Sequence, residues 1–326
     1  KKIEELKKSL SEFSEDDNYL ILKALILNIK NEIRDTLNIL NSLLEKYSVF
    51  LNFKKINSIV QLLIELSIKT RDYKSAEEYC KYLLTIEKDA DDQKTSISTN
   101  VLLAKLYSYQ NKFLQSISML ESITSKVTDE ELHFSIYFTL GSIYQFYNEK
   151  EMAVKTFLKA LDKIKEVESD KFYIINMKLA LISAFSDEFD QALVYLKECK
   201  SENRNLSRIL HKMILFGNGE LNDCMVDEVI SDLNKDQLLS EIDLTFEAEL
   251  LLLKFLYSKR KFQKCKELAD AMNKKINLVE DFNLVLEYQK LNKKIIRSSY
   301  KSKKSISNIR KVSPSVKKRV KNRRNN

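Results

Sequence analysis

"YFTLGSIYQFYNEKEMAVKTFLKAL" spans residues 137–161 and contains Gly141, one of only three glycines in the chain. The stretch otherwise reads as two helical segments, with apolar residues recurring three and four positions apart. A glycine inside a helix costs about 1 kcal/mol relative to alanine. Close packing against another element is the usual compensation. Gly141 and Ala153 are therefore expected to face each other where the two helices of a hairpin cross, because without bulky side chains the backbones approach closely.

Composition supports an all-helical chain. Among 326 residues there are 3 glycines and 1 proline. Average usage would give roughly 23 and 16. Strands and tight turns draw on those residues, whereas long helices with short polar connections do not. Apolar residues make up 44% and charged residues 31%, enough for a core under a solvated surface. The longest apolar run, residues 19–29, is interrupted by Lys23. It falls short of the ~18 residues a membrane span needs. Cys80, Cys199, Cys224 and Cys265 are scattered without metal-ligand or redox spacing, so they read as reduced, intracellular packing residues.

The pattern around Gly141 recurs along the chain. Tyr137, Leu140, Gly141, Tyr144, Ala153, Phe157 and Ala160 form one copy. Leu103, Ala104, Tyr107, Ser116, Leu120 and Ile123 form another, as do Leu63, Ile64, Ser67, Ala76, Cys80 and Leu83. Downstream copies centre on Ala180 with Ala192 and on Leu253 with Cys265; an N-terminal copy has Ala24 and Thr36. Before most second segments stands an aromatic or Ile: Ile33, Tyr73, Phe113, Phe189 and Phe262. Repeat starts fall near 17, 57, 97, 134, 173 and 246. The last interval is double, so a degenerate copy is expected between, its two helices joined by Gly217-Asn218-Gly219.

The copy at 137–161 resembles the tetratricopeptide repeat (TPR) family, whose signature is aromatic-x2-L-G-x2-Y followed by A-x3-F-x2-A. The resemblance covers residues 17–280; only the closing proline is missing, with Lys165 in its place. It implies an all-α, right-handed α-solenoid of about seven TPR-like helix pairs. The expected organisation is an N-terminal helix over 1–16, the solenoid over 17–292 and a basic, disordered tail over 293–326.

In that family the first helix of each pair lines a concave groove. The resemblance places there Val101, Lys105 and Tyr109; Phe138, Ser142 and Phe146; and Met177, Leu181 and Phe185. TPR domains that clamp a chaperone's C-terminal carboxylate use Lys, Asn and Arg at the fifth and ninth positions. Here the fifth reads Ile21, Gln61, Val101, Phe138, Met177 and Leu250, which argues against that role. An apolar groove suits an extended segment or amphipathic helix of a partner protein. The competing reading is that the chain's own helices cover these residues.

The charge is unevenly spread. Residues 293–326 carry 14 Lys or Arg and no acid, leaving 41 basic against 47 acidic side chains elsewhere. Lys317, Lys318, Arg319, Lys321, Arg323 and Arg324 match a nuclear-import sequence or could neutralise nucleic-acid phosphates. With only His133 and His211 present, and no glycine-rich phosphate loop, no catalytic constellation emerges. The expected function is a non-catalytic protein-interaction scaffold, soluble and intracellular, without cofactor, metal or membrane. Two alternatives stand beside it. One is a nucleic-acid or chromatin-associated adaptor resembling the cohesin-loader TPR subunit, nuclear through its tail. The other is a bacterial TPR peptide sensor.

Overall fold

The computed structural model describes residues 15–29, 32–49, 52–89, 93–164, 170–199, 205–220, 224–233, 242–279 and 281–298. The N-terminal helix expected over 1–16 lies outside them except for its last two residues. Lys317, Lys318, Arg319, Lys321, Arg323 and Arg324 lie outside as well. Among the described residues every regular element is a helix. The chain divides into two compact units, Lys1–Val167 and Glu168–Asn326.

Unit 1 holds four helix pairs. They are α1 (Glu15–Ile29) with α2 (Ile33–Val49), α3 (Phe53–Lys69) with α4 (Tyr73–Asp89), α5 (Gln93–Tyr109) with α6 (Phe113–Thr124), and α7 (Glu130–Phe146) with α8 (Lys150–Leu161). Unit 2 holds three: α9 (Asp170–Phe185) with α10 (Phe189–Glu198), α11 (Asn205–Asn218) with α12 (Cys224–Leu233), and α13 (Ile242–Ser258) with α14 (Phe262–Lys275). A further helix, α15, covers residues 282–298. It runs past residue 292, where the sequence pattern ends the solenoid. Buried Ile295 and a 3.0 Å hydrogen bond between the Ser298 and Tyr257 hydroxyls hold its last turns.

Six of the pairs carry, twelve positions apart, two buried residues of which the second is small and the first is small in four. In unit 1 these are Ala24/Thr36, Ile64/Ala76, Ala104/Ser116 and Gly141/Ala153; in unit 2, Ala180/Ala192 and Leu253/Cys265. All are buried. Where the second residue carries a hydroxyl, it donates to the carbonyl of the first: Thr36 to Ala24 at 3.4 Å and Ser116 to Ala104 at 2.6 Å. The space above Gly141 is filled by the ring of Phe157, one turn beyond Ala153. A Cβ built on Gly141 would stand 2.9 Å from that ring. The glycine is thus required by an aromatic side chain, which the expected Gly141–Ala153 approach did not include. Burying a whole Phe contributes about 1.5–3 kcal/mol, more than the propensity cost of Gly141.

In six of the seven pairs the turn is the same structure. Arg71, Asn111, Asn148, Asp187, Gly219 and Arg260 all take positive φ, between 58° and 86°. The next residue's N–H reaches back to close the helix: Asp72 to the Ser67 carbonyl, Lys112 to Tyr107, Glu149 to Tyr144, Glu188 to Ser183, Glu220 to Leu215 and Lys261 to Leu256, all at 2.8–2.9 Å. This is a Schellman closure, which satisfies carbonyls left open at a helix end. Only one of the six uses glycine. Asn and Asp tolerate the left-handed region better than most residues, and the two arginines occupy it at a cost. Tight turns are therefore compatible with a chain almost devoid of glycine.

In unit 1 two successive junctions are made by the aromatic at the start of a second helix. Tyr73 packs on Tyr109 with centroids 5.3 Å apart, and Phe113 packs on Tyr147 at 4.1 Å. The α4–α5 junction adds a polar clasp. Glu77 accepts from Lys81 at 2.6 Å, Gln110 at 2.9 Å and Lys112 at 3.0 Å. Burial opposes ionisation of Glu77, but those three donors outweigh it and hold its carboxyl at about 2.

The α11–α12 pair departs from the rule. Counting back seven residues from each left-handed turn reaches Ile64, Ala104, Gly141, Ala180 and Leu253, but Lys212 in this pair. An ammonium group cannot be buried in an apolar crossing without a partner. The Lys212 Nζ pairs instead with Glu228 at 2.9 Å and Asp232 at 4.0 Å, both on α12. Gly217 is not part of the connecting turn. It lies in the last turn of α11, where a Cβ would stand 2.7 Å from the Phe255 ring and 3.1 Å from Phe189.

Candidate functional site

The first helices carry the residues that the sequence pattern assigns to a binding face. In unit 1 they separate by depth. Val101 and Tyr109 are buried, while Lys105, Phe138, Ser142 and Phe146 are half-buried. α7 starts firmly, because the Asp129 carboxylate accepts from the N–H groups of Glu131 at 2.8 Å and Leu132 at 3.0 Å. Glu130 and Glu131 in its first turn complement the helix dipole.

Along α7, Phe134 and Phe138 lie one turn apart and stack, with centroids 5.8 Å apart and planes at 17°. Phe138 also meets the buried Phe157 edge-on at 5.7 Å. One end of this aromatic group is therefore anchored in the core while the other reaches the surface. Ser142 continues the same stripe and donates back to the Phe138 carbonyl at 3.0 Å. On α5, the Lys105 ammonium lies 5.8 Å from the centre of the Tyr109 ring. Phe134 was not among the sequence-derived residues. Its place four positions before Phe138 is the signal that finds it.

Unit 2 is different. Met177 and Leu181 are completely buried in its core and have no surface to offer a ligand. Their assignment to an open groove is corrected by the reason weighed against it, since the chain's own helices cover them. α9 packs directly on α13, the first helix of the next pair but one. Phe185 alone of the three is half-buried. Lys254 of α13 donates to its carbonyl and lies 5.4 Å over its ring.

His133, Cys80 and Cys265 have structural surroundings. His133 stacks on Tyr137 at 5.9 Å, with its Nε2 3.3 Å from the Thr124 carbonyl. His211 is exposed. Burial pushes the Cys80 thiol up to about 12 and the Cys265 thiol to about 11, so neither forms a thiolate near neutral pH. Among the described residues no group of three or more His, Cys, Asp or Glu could hold a metal ion. No described helix is long and apolar enough to cross a membrane.

No protein-family model matches the chain, and no curated protein sequence matches it. Solved structures do. The apo form of the quorum sensor NprR from B. thuringiensis covers 83% of this chain and 80% of its own, at 16% identity and a TM-score of 0.57. The apo form of RapI covers 84% of this chain and 99% of its own, at 9% identity and a TM-score of 0.58. The fold is a TPR-like α-solenoid. A signal-transduction ATPase with a tetratricopeptide repeat sensor from Pyrococcus horikoshii is also similar, at 14% identity and a TM-score of 0.52. It covers 90% of this chain but only 44% of its own length. Of the residues that the sequence pattern places on the first-helix face of this TPR-like chain, Lys105, Phe138, Ser142 and Phe146 in unit 1 and Phe185 in unit 2 stay partly accessible.

Proposed function

We propose that the chain is a non-catalytic protein-interaction scaffold that holds a segment of a partner protein against the α5–α7 face. The observation that carries this reading is the Phe134–Phe138 stack, half-buried and braced from beneath by Phe157. Aromatic side chains anchored in this way are typical binding hot spots, because they are rigid before the partner arrives. Ser142, one turn along α7, and Lys105 on the neighbouring α5 supply a hydroxyl and a charge to orient a peptide backbone.

Selection of binders from a displayed library of random peptides tests it. Peptides chosen on the full chain should lose at least tenfold in affinity for a Phe134→Ala/Phe138→Ala variant of unchanged helicity. Retained affinity would remove the α7 stripe from the site.

A second reading is a TPR sensor of a secreted signal. Its support is the likeness to NprR, a quorum sensor, across most of both chains. Enrichment of short peptides with a free terminus in the same selection would favour it over a scaffold for long helical segments. The adaptor reading rests on the basic tail, and a salt titration of duplex binding with and without residues 293–326 tests it.

A further inference from the structure

Unit 2 contains a contact that simple repeat stacking does not require. Repeats in a solenoid touch their neighbours, yet α9 packs on α13, skipping α11 and α12. Across this contact the Lys178 ammonium is ion-paired with the Glu247 carboxylate, and the two side chains are 7% and 1% exposed. Asp243 on α13 and Asp281 ahead of α15 add negative potential around the same lysine. Leu181 follows Lys178 by one turn on the same face of α9 and is fully buried.

We propose that the Lys178–Glu247 pair is a latch that holds α13 over α9, and that breaking it uncovers Leu181 while both hairpins stay folded. Three features support a separable contact. Each hairpin packs internally, α9 on α10 and α13 on α14, with Ala180 and Ala192 buried in one and Leu253 and Cys265 in the other. Each also has its own Schellman turn, at Asp187 and at Arg260. A buried ion pair fixes register but adds little net stability over apolar packing, whereas removing one partner strands a buried charge. Such a contact is specific when closed and is strongly disfavoured when its charges mismatch. The latch concerns unit 2 alone and does not rest on the partner face proposed on unit 1.

Thiol labelling of the full chain tests the latch without any partner. Leu181→Cys places a thiol on the buried face of α9 one turn from Lys178, and the native Cys265, fully buried on α14, reports on general unfolding of the same unit. Maleimide modification of each site is read by peptide mass spectrometry. Adding Lys178→Glu, which sets two carboxylates against each other, should speed labelling of the introduced thiol at least tenfold and leave Cys265 unchanged. The charge swap Lys178→Glu/Glu247→Lys should restore protection. Unchanged labelling in the Lys178→Glu chain would overturn the proposal. So would parallel labelling of Cys265, which would make the pair a support of the whole unit, or failure of the swap to rescue.

Discussion

The Phe157 ring occupies the place where a side chain on Gly141 would project, with its Cε1 2.9 Å from the position of a Cβ. Phe157 is fully buried, so the ring has little room to move aside. Gly141→Ala should therefore destabilise unit 1 although it improves helix propensity. Overpacking costs about 1–3 kcal/mol and the propensity gain returns about 1, leaving a net loss of roughly 1 kcal/mol. Adding Phe157→Leu should reduce that loss, because the smaller side chain admits the methyl group. Urea midpoints of the two variants check this; equal midpoints for Gly141→Ala and the unsubstituted chain would contradict it.

Arg260 sits in the left-handed region at φ 58° and is exposed. An L-residue there bears about 1–2 kcal/mol of strain, while glycine adds some entropy to the unfolded chain. Arg260→Gly should stabilise unit 2 by about 0.5–1 kcal/mol, read as a higher urea midpoint. Asn111→Gly should gain less, since Asn tolerates this conformation better.

The two units should respond oppositely to acid. Glu249 is fully buried, and burial raises its carboxyl above the ordinary 4.5 despite an ion pair with Lys275 at 2.7 Å. The folded chain thus holds that proton more tightly than the unfolded chain. The stability it contributes is complete below 4.5 and is lost as pH rises through the higher folded value. Glu77 runs the other way. Its contribution is complete above 4.5 and is lost as pH falls toward about 2. Hydrogen exchange, corrected for its intrinsic pH dependence, should show α13 gaining protection as pH falls from neutral toward 4.5 while α4 does not gain. Glu249→Gln should flatten the α13 response; an unchanged slope would mean that another group carries it.

The repeat was legible in the sequence because its physics is local. Small residues at Ala104/Ser116 and Gly141/Ala153 mark where two helices of one hairpin must touch, and the interval between copies follows directly. The fate of α9 was not legible. Spacing within a hairpin places Met177 and Leu181 on one face but cannot say which distant helix covers it; that depends on where the α11–α12 pair sits. The irregularity of that pair was written in Lys212, but only the left-handed turn at Gly219 aligns this lysine with the uncharged buried residues of the other pairs. The α15 helix lacked a partner helix to form a recognisable copy, so its end at residue 298 emerges only from its packing on α13. Phe134 was hidden for another reason. The TPR pattern assigns no groove role to its position, and its stacking on Phe138 is a property of this chain.

Site-specific photo-crosslinking tests the binding face most directly. A benzophenone-bearing phenylalanine analogue in place of Phe138, and in a second chain in place of Leu181, would be irradiated with a peptide selected on the full chain. A surface-reaching Phe138 and a covered Leu181 predict a peptide adduct from position 138 and none from position 181. An adduct from position 181 with none from 138 would contradict it, placing the partner in unit 2 and removing the α7 aromatic stripe from the site.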